Sequence, residues 1–175
     1  MKPNRAKAIR LKASELLQQC GVVAAPVDVE KIAAELGIAV RRTPTDDDIS
    51  GFLLHQTDSE VVIGVNTLHH PNRQRFTIAH ELGHYVLHQY DEVHVDRAVV
   101  RLRSGESSSG ENPDEVEANR FAAELLMPEN FIRLELSKMT FVDFSDERRM
   151  QQFAKQFGVS VQAMSRRIVD LGISA

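Results

Sequence analysis

The chain predicts an α+β fold, mainly helical, with a small antiparallel sheet of about three strands packed against a central helix. Three observations carry that expectation. Apolar residues recur at helical spacing over most of both ends, three extended runs cluster between residues 38 and 65, and the segment FTIAHELGHYVLHQ is a helix apolar enough to be buried.

Residues 5–20 form an amphipathic helix with Ile9, Leu16 and Leu17 inward, stopped by Gly21. VDVEKIAAELGI makes a second: Asp28 is its N-cap, Val29, Ile32, Ala33 and Leu36 share a face, and Gly37 ends it. Extended runs follow at 38–42, 51–56 and 60–65, separated by the acidic turn TPTDDDIS and by TDS, and the last two form a hairpin. VVIGV is apolar nearly throughout, so it is the best-buried strand and the one nearest the central helix. In that helix Phe76, Ile78, Ala79, Leu82, Tyr85, Val86 and Leu87 give a wide apolar face. HVDRAVV alternates like a short strand, and residues 104–111 are a polar Gly/Ser/Glu loop, a candidate lid over whatever lies between the flanking helices. NPDEVEANRFAAELLMP is a helix with Asn112 as N-cap, Pro113 in its first turn, Glu115 in a variant capping box, and Pro128 to close it. Three short helices complete the chain: 129–138, 145–157 capped by Ser145, and 160–171 capped by Ser160 and stopped by Gly172.

A length of 175 residues with 42% hydrophobic content suits one domain over 1–175, in which 129–175 is a C-terminal helical subregion. The 21 basic and 25 acidic residues are interspersed and net to −4, a balance that demands no nucleic acid. MKPNRAKAIRLK is basic without the apolar stretch of a secretory signal, and no run reaches membrane-spanning length. Cys20 is the only cysteine, which excludes an internal disulfide and a cysteine-built metal site. A cytoplasmic protein is expected.

The motif His80-Glu81-Leu82-Gly83-His84 is the strongest chemical signal. Positions i and i+4 lie on one helix face a turn apart, so both imidazoles can reach one zinc ion. Glu81 is rotated aside, where it can act as general base toward a water activated by the metal. A histidine pair packed on an amphipathic helix is the bland alternative. Two buried histidines beside a buried glutamate are, however, hard to satisfy with protein groups alone.

A catalytic zinc takes three protein ligands and leaves one position open, so a carboxylate on another element is required. The helix from 113 offers Asp114, Glu115, Glu117 and Glu124. The first two sit in the first turn, where capping and the helix dipole explain them. Glu117 lies one turn in and is the preferred third ligand, with Glu124 and Glu115 as fallbacks. Asn119 is the leading side chain to orient a histidine ring. Tyr85, His88, Tyr90, His94 and Arg73 are all near enough in sequence to stabilise an oxyanion.

HELGH followed by EANRFAAELLMP resembles the ImmA/IrrE family of metallopeptidases. VVIGVNTLHHPNRQRFTIAHELGHYVLH and the closing QFGVSVQAMSRRIVDLGI agree with it, so the resemblance covers most of residues 10–173 and leaves out the first residues and the loop at 104–111. It implies a gluzincin-like site with His80, His84 and Glu117 as zinc ligands and Glu81 as base. It also implies a substrate: a helix-turn-helix repressor or antitoxin, cleaved to relieve repression in a phage, mobile-element or stress-response setting.

Two other readings compete. A zinc-containing regulatory or antitoxin-like protein would bind a repressor or toxin without cutting it. A DNA-binding regulator is suggested by the helix-turn-helix cadence of VDVEKIAAELGIAV and of FAKQFGVSVQAMSRRIVDLG, which carries Arg166 and Arg167. Helix pairs joined at glycine turn corners in any small helical domain, and two arginines do not make a phosphate surface, so direct DNA contact is not expected. A non-ligating glutamate beside two histidines argues for the enzyme, because structural sites close all four positions.

Overall fold

The computed structural model describes residues 2–57, 60–88, 93–97, 112–138 and 146–173. Among these the elements run α1 (Pro3–Gln19), α2 (Val29–Glu35), β1 (Ile38–Thr43), β2 (Ile49–Thr57), β3 (Glu60–Asn66), α3 (Pro71–Leu87), β4 (Val93–Arg97), α4 (Pro113–Leu126), α5 (Glu129–Ser137), α6 (Glu147–Phe157) and α7 (Val161–Asp170). The class is α+β and mainly helical, as the periodicity predicts. The loop at 104–111, expected as a lid, lies outside the described residues.

Local chemistry sets the helix starts. Proline occupies the first turn of α1, α3 and α4, where its missing N–H costs no hydrogen bond. Asp28 accepts from the Lys31 N–H, Asn112 from Asp114 and Ser160 from Ala163, each satisfying a donor that the helix itself cannot. The cap of α6 is Asp146, which accepts from the Arg148 and Arg149 N–H groups, while Ser145, the expected cap, falls outside the described residues.

The sheet differs from the expected antiparallel three-stranded one. Its order is β1-β3-β2-β4, and it is mixed: β2 runs antiparallel to β3 and β4, but β1 lies parallel to β3, with Ile38 opposite Val61 and Thr43 opposite Asn66. Burial explains the order. VVIGV is the most apolar run and gains most from a neighbour on each side, so β1 and β2 flank it instead of pairing with each other. The Asn66 side chain, almost wholly buried, then holds the link between β1 and β2. Its Nδ2 donates to the carbonyls of Thr45, Asp46 and Ile49, and its Oδ1 accepts from the N–H groups of Thr45 and Leu68.

Helix α3 sits between this sheet and α4, with Ile78, Ala79 and Leu82 fully buried. The sheet presses closely on it. A Cβ at Gly51 of β2 would stand 2.4 Å from Thr77 Cγ2 and 2.6 Å from the Gly64 carbonyl oxygen, so only glycine fits there. On the far side of α4 lies α1, whose Ile9, Ala13, Leu16 and Leu17 join the same core. Cys20 is buried at the end of α1, and burial pushes its thiol pKa up.

Candidate metal centre

Helix α3 places His80 and His84 one turn apart, both at most 2% exposed, with their Nε2 atoms 3.0 Å from each other. The Nδ1 of His80 donates to Asn119 Oδ1 at 3.2 Å, which fixes its tautomer and leaves the Nε2 lone pair facing the site. Asn119 therefore sits where an orienting side chain was expected. Glu81 is fully buried on the same helix.

The carboxylate that joins the two histidines is Glu115, not Glu117. Glu115 Oε2 is 3.2 Å from His80 Nε2, and its Oε1 is 3.3 Å from His84 Nε2. Glu117 instead receives Arg5 of α1, with Nε at 2.7 Å and Nη2 at 2.5 Å, and it stands 3.9 Å from His88 Nε2. That bidentate pairing holds the Glu117 carboxyl below the usual glutamate range. Glu124, a fallback, is buried at the other end of α4 against Arg120 and Arg167. Helix geometry accounts for the choice. Residues two apart are rotated by about 200°, so once Asn119 meets His80, Glu115 one turn earlier must share that face and Glu117 must turn away.

One glycine makes the meeting of the helices possible. A Cβ at Gly83 would lie 3.0 Å from Ala118 Cα, 3.1 Å from the Ala118 carbonyl oxygen and 3.2 Å from Phe121 Cβ. Backbone thus packs nearly on backbone, and this close crossing lets the short reach of Glu115 span from α4 to imidazoles on α3.

The donor set fits a divalent cation. His80 Nε2 and a carboxylate oxygen are both acceptors, so no proton lies between them to hold them at 3.2 Å, whereas a cation attracts both. The two imidazole nitrogens lie 3.0 Å apart, and each has a different oxygen of Glu115 at 3.2 or 3.3 Å, spacings close to the edge of about 3.3 Å for a tetrahedron with ligand bonds of about 2.0–2.1 Å. Among the described residues, these three alone form such a group of histidine, cysteine and carboxylate donors.

Three of the expected oxyanion stabilisers fall among the described residues. Tyr85 stacks on His55 of β2, with ring centroids 6.3 Å apart, Arg73 donates to Ser50 Oγ, and His88 Nδ1 lies 3.6 Å from Asp114 Oδ1. Tyr90 and the His94 side chain lie outside the described residues. Arg167, which had suggested a DNA-contacting helix, is turned inward: it pairs with Glu124 and donates from Nε to the Met127 carbonyl at 3.0 Å. Gly83 and Glu115 are the residues that sequence reasoning undervalued. Their signals were a glycine inside a helix that should exclude it, and the i, i+4 relation of Glu115 to Asn119.

A buried HExxH helix on a small sheet, met by a carboxylate from a second helix, defines a protein of the metallopeptidase type. The chain belongs to the M78 peptidase family: the model of its IrrE N-terminal-like domain matches residues 33–169, a span that holds His80, Glu81, His84 and Glu115. No curated protein sequence matches the chain. Among the described residues no helix is long and apolar enough to cross a membrane.

Proposed function

We propose that this chain is a zinc-dependent endopeptidase of the cytoplasm, with His80, His84 and Glu115 as ligands and Glu81 as general base. The observation that carries the reading is the convergence of two buried imidazoles and one carboxylate from different helices, beside a glutamate that is not among the three. Zinc suits a set of two imidazoles and one carboxylate, and when bound it polarises a carbonyl and lowers the pKa of a water toward neutrality. Asn119 holds the His80 ring so that its lone pair stays turned to the site. Glu81, desolvated within α3, takes the proton of the attacking water and returns it to the departing amine. Among the described residues the sheet edges are β1 and β4, and an extended substrate segment pairs with one of them through its main chain. For the substrate we propose a helix-turn-helix repressor or antitoxin, as the family resemblance implies, with its cleavage relieving repression.

Zinc-loaded protein incubated with a helix-turn-helix repressor or antitoxin, sought first among the products of neighbouring genes, is expected to yield two discrete fragments. Glu81→Gln should keep the zinc and lose cleavage by about 10²–10⁴-fold. A stoichiometric complex with no fragments would replace this reading with that of a non-catalytic, antitoxin-like partner. A steeply salt-dependent gel shift would point instead to a DNA-binding regulator.

A further inference from the structure

Helix α1 lies outside the family-matched span of 33–169, yet its side chains reach the neighbourhood of the metal centre. Arg5 and Glu117 meet in a two-pronged ion pair that joins α1 to the second turn of α4. Glu115 and Glu117 are two residues apart on that helix, and they are held from opposite sides: one by the histidines of α3, the other by α1. Glu117 also stands near His88 at the end of α3, whose ring centroid is 5.5 Å from that of His84. A fork-to-carboxylate pair fixes both direction and distance, unlike a point charge. At the other end of α1, Arg10 pairs with Glu129 at 3.1 Å, well removed from the metal centre along α4 and α5.

We propose that Arg5 is a positioning residue for the metal centre: by clamping Glu117 it sets the rotation of the first turns of α4, and so holds Glu115 on the histidine pair. This rests on the metal-site reading above. Apolar burial also attaches α1, through Ile9, Ala13, Leu16 and Leu17, to the core it shares with α4, but such contacts are non-directional and by themselves set rotation about the α4 axis loosely. Asn119 on His80 and Glu124 on Arg167 restrain α4 from its other neighbours, and on the α1 side the directional restraint comes from the ion pair.

Cobalt(II) serves as the probe, since its visible absorption reports donor geometry as well as occupancy. In the full chain, Arg5→Ala is expected to weaken cobalt binding about tenfold, the lower end of the range for groups that orient ligands, and to alter the absorption bands of the bound ion. Arg10→Ala, on the same helix, should leave both unchanged. Exchanging the pair, Arg5→Glu with Glu117→Arg, should recover most of the affinity that Arg5→Glu loses. Unchanged affinity and spectrum in Arg5→Ala would overturn the proposal, and so would equal losses in Arg5→Ala and Arg10→Ala, which would mean that any loosening of α1 suffices. A wild-type chain that binds no cobalt overturns the metal site itself, and this inference with it.

Discussion

Replacing Gly83 with alanine tests the close crossing of α3 and α4, because two effects of known size oppose each other there. In an open helix the change is stabilising by about 0.8–1.0 kcal/mol, since alanine loses less backbone entropy. Here the new methyl would meet Ala118 Cα at 3.0 Å and Phe121 Cβ at 3.2 Å, both tighter than the 3.4 Å at which ordinary contact begins. The obstructing atoms are main chain and the stem of a fully buried phenylalanine, so no flexible side chain can give way. Overpacking of this kind costs about 1–3 kcal/mol, which exceeds or cancels the helical gain and leaves a net loss of about 0–2 kcal/mol. Thermal unfolding of the metal-free protein should show it as a fall of about 2–4 °C per kcal/mol. The larger effect should be on metal. Retreat of α4 carries Glu115 with it, three residues from the point of contact, and a competitive zinc titration should read an affinity loss on the order of tenfold. A variant that melts higher than wild type and binds zinc equally well would refute the argument that this glycine sets the spacing of the two helices.

Zinc content should separate the two glutamates of α4: Glu115→Gln should lose zinc through dialysis, whereas Glu117→Gln should retain it with weakened affinity, and the reverse result would restore Glu117 as the ligand. Arg167→Met should cost roughly 3–5 kcal/mol in denaturant unfolding, toward the lower end because Arg120 still bonds Glu124, since a buried anion loses a buried partner; a loss under about 1 kcal/mol would show that the pair is dispensable. Acid stability should depend on Arg5. The folded-state pKa of Glu117 is depressed, so its contribution is present above the unfolded value of about 4.3 and is lost as pH falls through the folded one. Arg5→Ala should therefore flatten the fall in stability below about pH 4.3, and an unchanged acid limb would contradict the pairing.

Much of the architecture is legible in the sequence because its signals are local. Asp28, Asn112 and Ser160 cap the helices that their positions announce, and VVIGV takes the place in the sheet that its unbroken apolarity demands. The parallel pairing of β1 with β3 is not local. It depends on where the link at 44–48 is held, by an asparagine at the end of a different strand. The same division runs through the metal centre. His80 and His84 are readable because their spacing lies within one helix. The third donor depends on how α4 is rotated about its own axis, and that rotation follows from contacts with α3 and α1. Glu115 had a sufficient local explanation in the capping of its helix, which hid it. Arg5 gave no local signal at all, since its partner lies 112 residues away.

Helix α4 answers to three neighbours at once. Ala118 and Asn119 face α3, Glu117 faces α1, and Glu124 faces α7. Most of EVEANRFAAELLMP is thereby dictated by who stands next to it, and only Glu115 and Asn119 in that stretch speak of chemistry. A relative that kept every packing residue but exchanged Glu115 would fold alike and keep the EANRFAAELLMP run while lacking the third donor. Scaffolds of this kind should be sought by inspecting that position before any assay is run.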